Sequence, residues 1–188
     1  KNLKNKKILK IPILGTIKDI YNFKKENFFL TLFSDKNRFI RAKLITKLKK
    51  IHNRFINIVH PNSLISSNSK IGNGCLISNN CNIYGGSNIG NFCTILSNVS
   101  IAPKAKIYNN CFIGKSVILS SKSKVHKNTY IGFQSSLLEN VKVGEGSKIL
   151  PNTIVNKSIN KKKGVIYGYP AKIIAYDKWV SSKNMKKN

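Results

Sequence analysis

The sequence predicts a mainly β protein: a parallel β-helix of six-residue repeats, preceded by a small α/β subdomain. Three observations predict it. From Val59 to Val155 every sixth residue is Val, Ile or Leu, with no insertion to break the count. Four residues after each comes a small side chain, such as Ser63, Cys75, Ala105 or Thr153, with Ile159 the exception at the end. The residues between are Gly, Asn, Ser, Lys and Pro, as in Gly72-Asn73-Gly74, Gly85-Gly86 and Asn109-Asn110. A helix needs apolar spacing near 3.6 and a lone strand needs 2, so a strict six fits neither. It fits a solenoid of short strands and turns, in which each repeat buries one large and one small residue. Side chains alternate in and out along a strand, so positions i and i+4 both face inward. Gly and Asn accept the positive φ that tight corners require.

Before the hexads, Lys6 to Leu14 is a short apolar segment ending at Gly15. Residues 16–25 predict a short helix, with Thr16 as its cap and Ile17, Ile20 and Tyr21 on one face. The apolar run 28–33 reads as a buried strand, Ser34 to Asn37 as a turn, and residues 38–50 as the best helix. That order of strand and helix suggests an α/β unit on a parallel sheet. After the hexads come a lysine loop (Lys161, Lys162, Lys163), a strand, a Gly-Tyr-Pro turn and a closing segment. A solenoid needs such a cap to hide its last sheet edge. Residues 177–188 predict a frayed basic helix anchored by Trp179. The expected organisation is residues 1–58, 59–160 and 161–188.

The formal net charge is +28 over 188 residues. Two readings are open: an anionic partner, or the Lys and Asn bias of an AT-rich genome. In the linear sequence the lysines are dispersed and no nucleic-acid motif occurs, so nucleic acid is not an expected partner. Cys75, Cys93 and Cys111 are spaced by 18 residues, three hexads, and should stack in successive coils. Metal or disulfide chemistry would need stricter geometry; small buried thiols suit the inward positions directly. No metal is expected, and reduced thiols point to a cytoplasmic setting. No apolar run reaches a membrane span and no signal peptide is recognisable, so stable membrane insertion is not expected.

Val59-His60-Pro61-Asn62-Ser63 at the first hexad and Gly168-Tyr169-Pro170-Ala171-Lys172 at the close resemble the bacterial sugar acyltransferases built on a left-handed β-helix. The nearest subgroup is the sialic acid O-acetyltransferase and UDP-amino-sugar N-acetyltransferase type. Pro12-Ile13-Leu14-Gly15 and the segment from Phe33 to Asn37 are similar to parts of that subgroup's N-terminal sugar-nucleotide domain. The resemblance implies acetyl transfer from acetyl-CoA to an amine or hydroxyl of a sugar or nucleotide sugar, for surface glycan synthesis. It implies a homotrimer with acetyl-CoA in the groove between neighbouring helices. The family's Gly-rich opening is absent, which suggests a truncated N-terminus. Asp35 and Asn37 are the expected sugar-binding positions. Phe112, Ile113, Gly114, Gly132, Phe133 and Pro151 match the family's cofactor contacts, and the Lys161 to Lys163 loop is a candidate for CoA phosphates.

The departure is catalytic. The family's general-base His and the acid after it fall at Pro103 and Lys104. A positioned base contributes about 10²–10⁴ in rate. Lys104 would need its pKa lowered by roughly 3 units to serve. Of the three histidines, His52 reads as a surface residue of the linker and His60 as structural. His126, next to a corner, is the candidate catalytic group, placed to face a neighbouring protomer. Glu139 and Glu145 read as partners of nearby lysines. The alternative function is a catalytically impaired trimeric scaffold or anionic-ligand binding module.

Overall fold

The computed structural model describes residues 6–32 and 37–175. From Ile58 the chain winds into a triangular solenoid of two-residue strands, three to a coil. Parallel pairing sets residue i against i+18, as in Ile77 with Ile95 and Ile101 with Leu119. The coils are left-handed, against the usual hand of parallel crossovers.

The first face stacks Ile58–Val59, Leu76–Ile77, Thr94–Ile95, Phe112–Ile113, Tyr130–Ile131 and Lys148–Ile149. The second stacks Leu64–Ile65, Asn82–Ile83, Ser100–Ile101, Ile118–Leu119, Ser136–Leu137 and Ile154–Val155. The third stacks Lys70–Ile71, Asn88–Ile89, Lys106–Ile107, Lys124–Val125 and Lys142–Val143. In each pair the second residue points into the prism. Ile77, Ile95, Ile113, Ile131 and Ile149 have no solvent exposure. The small residues join them inside: Cys75, Cys93, Val99, Val117 and Ser147 are fully buried.

The corners explain the polar residues between. From Gly74 to Asn152 the residue just before each small one takes a left-handed conformation, with φ of 56° at Asn80, 61° at Asn98 and 61° at Asn140. Asn bears that conformation at little cost. The first face is closed by a hairpin. Gly164–Tyr167 pairs parallel with Lys148–Ile149 and antiparallel with Lys172–Ala175, burying Val165 and Ile166. Trp179 and its predicted helix lie outside the described residues.

The N-terminal segment differs from its predicted form. Lys7–Ile8 and Ile11–Pro12 make a small antiparallel hairpin. Thr16 caps a helix as expected, in a reciprocal capping box with Asp19, but the helix is a 3₁₀ segment over Ile17–Asn22. The predicted strand at 28–33 is not formed among the described residues. Phe28 makes a single bridge to Phe55, and residues 29–32 form no strand. Phe28 and Leu30 pack against a local cluster instead. The predicted helix over 38–50 is α1 (Arg38–Lys47), broken near Leu48 and followed by a 3₁₀ segment, Lys49–Arg54. Helix and strand are both present, therefore, without the parallel sheet.

All four cysteines are buried and unpaired by disulfides. Cys75, Cys93 and Cys111 stack in successive coils, each thiol donating to a backbone carbonyl of the coil above. Contact with Cys93 and burial push the Cys75 thiol up, and burial pushes up those of Cys93 and Cys81. A raised pKa leaves the unreactive thiol at pH 8. Iodoacetamide at pH 8 should therefore spare Cys75, Cys81 and Cys93 in the native protein and label them in urea, read by mass spectrometry. Ile131→Ala should cost about 3 kcal/mol, read as a lower urea midpoint at unchanged slope.

Candidate functional site

The three faces present different chemistry because their outward residues repeat every 18 positions. On the first face Phe112 stacks on Tyr130, with ring centroids 5.1 Å apart and planes 16° off parallel. The Lys148 ammonium lies 5.5 Å from the Tyr130 centroid, so the ring stack continues into a cation–π contact. Phe133 and Pro151 are exposed at the corner between the first and second faces. Gly114 and Gly132 are buried there. A Cβ on Gly114 would lie 2.6 Å from the Phe133 ring and 2.8 Å from the Ile131 carbonyl oxygen. Glycine lets the coils close at this edge and leaves Phe133 standing out. The Ile113 side chain is buried in the prism, so it is the backbone of Ile113 that lies near this edge.

Pro103 and Lys104 occupy the corner between the second and third faces, on the other edge of the second face. Lys104 is exposed, holds φ of 61° and donates its backbone N–H to the Gly85 carbonyl at 3.2 Å. Beside it lies a hollow of about 710 Å³ lined by Gly86, Lys104, Lys106, Lys122, Lys124, Asn140, Lys142 and Ser158. The lysines are not dispersed in space, contrary to their linear spacing. An 18-residue interval becomes a column, and Lys70, Lys106, Lys124 and Lys142 share one.

His126 sits on the third face two residues past Lys124. It stacks on Tyr108, with centroids 4.8 Å apart and planes 6° off parallel, away from the Pro103 corner. His60 is exposed, and its Nδ1 accepts the Asn62 backbone N–H at 3.2 Å. His52 is not the surface residue its sequence position suggests. Its ring packs edge-on to Phe92 at 4.8 Å, and Nε2 lies 2.9 Å from the Ile45 carbonyl. Glu139 and Glu145 pair with Lys122 and Lys127 at 3.6 and 3.5 Å. Asn37 accepts the Arg41 backbone N–H through its carbonyl at the start of α1. Asp35 lies outside the described residues.

The corner between the third and first faces carries the N-terminal arm, which sequence reasoning missed. Arg41 is buried and donates to the Phe92 carbonyl at 2.6 Å and to Asn110 Oδ1. Arg38 donates to the Gly146 carbonyl, and Asn110 returns a bond to the Arg38 carbonyl. Phe92 holds the left-handed conformation at φ 58°, which is rare for an aromatic residue. Its ring is buried with Ile45, Leu48, Ile51 and Phe55. The strain, about 1–2 kcal/mol, is smaller than the roughly 3–5 kcal/mol lost when a buried Phe is truncated. An aromatic side chain at a corner position that elsewhere holds Asn, Gly or another polar residue was the available signal. A second hollow of about 530 Å³ lies in the arm, lined by Leu14, Gly15, Ile17, Phe23 and Phe28 among others. Among the described residues, no three His, Cys, Asp or Glu side chains are grouped to hold a metal. No helix among them is long and apolar enough to cross a membrane.

No protein-family model matches the sequence, and no curated protein matches it. Solved structures do resemble it. A mutant perosamine N-acetyltransferase from Caulobacter crescentus, in complex with CoA and GDP-perosamine, superposes with a TM-score of 0.78 at 18% identity, over 89% of this chain and 80% of its own. WeeI from Acinetobacter baumannii gives 0.77 at 19%, over 92% and 82%. The acetyltransferase domain of PglB from Neisseria gonorrhoeae, in complex with acetyl coenzyme A, gives 0.78 at 18%, over 89% and 81%. At these identities the likeness establishes the fold. It extends beyond the solenoid into the arm, since the solenoid alone is a smaller share of the chain.

Phe92→Gly relieves the corner strain and removes the arm's central ring. Trypsin should then cleave among Lys43, Lys47, Lys49 and Lys50 at least tenfold faster, while the solenoid's circular dichroism is retained.

Proposed function

We propose that the protein transfers an acetyl group from acetyl-CoA to an amine of a sugar or nucleotide sugar. The observation that carries the reading is the placement of Phe133 and Pro151 along one edge, beside the face that carries Phe112, of a solenoid whose solved likenesses include structures holding CoA or acetyl-CoA. Phe133 and Pro151 would flank the pantetheine arm, and Gly114 and Gly132 let the coils close beneath them. Backbone N–H groups at that edge would stabilise the thioester oxyanion.

This edge and the Pro103 corner lie on opposite sides of the second face, so one copy cannot bring them together. A homotrimer can, with the first–second edge of one copy beside the second–third corner of the next. The second face suits the inside of such an assembly. Its outward residues, Leu64, Asn82, Ser100, Ile118, Ser136 and Ile154, carry no charge, and neither do Tyr84 and Leu138 beside them. Leu64 is 72% exposed and Ile118 49% in the isolated chain. A chain of net charge +28 self-associates most readily through its uncharged surface.

Proton removal has a physical substitute for the missing imidazole at Pro103. The lysines around Lys104 disfavour the protonated form of an acceptor amine nearby, so more of it is neutral and nucleophilic at pH 7. An amine needs this help and a hydroxyl gains little from it, which favours N-transfer. His126 is the one imidazole on the third face, and its substitution separates the two mechanisms.

Light scattering should report a trimer that Ile118→Glu reduces to monomers. Thiol release from acetyl-CoA with UDP-amino sugars should be saturable, and Phe133→Ala should raise KM for acetyl-CoA about tenfold. His126→Ala should leave kcat within about threefold; a loss of 10²–10⁴ would identify His126 as the base. No thiol release with any amino sugar, while acetyl-CoA still binds one per protomer, would favour the impaired scaffold.

A further inference from the structure

The hollow beside Lys104 has a property that acyl transfer does not require. Five lysines line it: Lys104 and Lys122 from the corner row, and Lys106, Lys124 and Lys142 from the strand column. Each row advances one coil per residue, about 4.8 Å. The two rows run parallel to the solenoid axis with a trough between them. Beyond it the column continues through Asn88 to Lys70, so the five strands from Lys70 to Lys142 span about 19 Å. Among the described residues the one carboxylate paired with a lysine of the hollow is Glu139, 3.6 Å from the Lys122 ammonium. Five lysines less one carboxylate leave four net positive charges.

That distribution is not the trace of a general lysine bias. The outward column of the second face has no lysine and that of the first has Lys148 alone, while the third has four. The same 18-residue period that stacks the core thus sorts the lysines onto one face. Four charges spread over several coils exceed what a single diphosphate brings. They fit an extended chain whose negative groups repeat along its length. The lining offers ammonium, amide and hydroxyl donors from Lys, Asn140 and Ser158, with no aromatic ring and no Arg. Single-stranded nucleic-acid sites rely on aromatic stacking for much of their affinity. The trough is also concave, where a bilayer would call for a flat or convex face.

We propose that this trough binds an extended anionic polysaccharide, laid along the solenoid axis with its carboxylate or phosphate groups between the two lysine rows. In conjunction with the acyl-transfer reading, the bound chain would present its sugars next to the Pro103 corner. The binding claim itself is independent of turnover.

The experiment is fluorescence anisotropy on the full chain without acetyl-CoA. The probes are a labelled galacturonate decamer, a glycerol-phosphate decamer and a dT decamer, at 50 to 300 mM NaCl. At least one glycan-type probe should bind tighter than dT, with affinity falling as salt rises. The two glycan probes tell carboxylate from phosphate. Lys106→Gln/Lys124→Gln/Lys142→Gln should weaken that binding at least tenfold, with circular dichroism unchanged. Lys49→Gln/Lys50→Gln/Lys172→Gln removes the same charge elsewhere and should change it less than twofold. Equal loss in both triple variants would overturn the proposal in favour of net charge alone. Preference for dT would overturn it in favour of nucleic acid. Absent acetyl transfer with intact trough binding would count against the enzymatic reading and leave this one standing.

Discussion

The whole molecule depends on one constraint: each inward side chain must rest on its equivalent one coil away. Ile77, Ile95, Ile113, Ile131 and Ile149 form such a column inside the first face, all without exposure. Parallel hydrogen bonds hold each coil to the next, as from Leu76 N–H to the Cys93 carbonyl at 2.9 Å. Through the hexads every coil keeps 18 residues, and only the closing coil departs, pairing Lys148 with Val165 where no further coil of hexads stacks on it. The corners absorb the remaining geometry through left-handed residues, mostly Asn or Gly, with Lys, Ser, Gln and Phe92 taking the same conformation where their side chains face outward.

That constraint fixes the inside at a period of six and leaves the outside free at a period of 18. Three faces of unlike character follow from one repeat. The first carries the stacked rings of Phe112 and Tyr130, the second is uncharged, and the third is basic. The arm closes the corner between the basic and aromatic faces, where Arg38, Arg41 and Phe92 lock it down. Because burial lowers the Arg41 pKa from its ordinary value, the docked guanidinium is held at some desolvation cost. Its bonds to the Phe92 carbonyl and to Asn110 offset that cost. The arm therefore leaves both edges of the second face open, which are the two edges that the proposed chemistry joins between copies.

How much of this is legible in the sequence follows from the range of each signal. The hexads are local and repeated, so the solenoid and its inward residues can be read directly, including the stacked cysteines. The same register places Phe133 and Pro151 on one edge and Pro103 and Lys104 on another. The lysine column was hidden because 18 residues look like dispersal until the coil length is applied. The arm is a non-local problem. Nothing near Arg41 announces a partner at Asn110, and nothing near His52 announces Phe92. The apolar run after Phe28 reads as a strand because a local pattern cannot distinguish a strand from a segment folded onto a neighbouring cluster. Ile113 belongs to the inward set that the hexads already mark, so at that position only the backbone can meet a ligand.

The direct measurement is coil excision, compared by urea denaturation. Removing residues 112–129 deletes one 18-residue turn and brings each remaining inward residue onto an equivalent one. Removing residues 112–128 deletes one residue fewer and sets every later inward side chain out of step. The first variant should unfold cooperatively with a slope reduced only by its shorter length, and the second should show no cooperative transition. Equal, cooperative folding of both would contradict the claim that the stacked inward columns determine this fold.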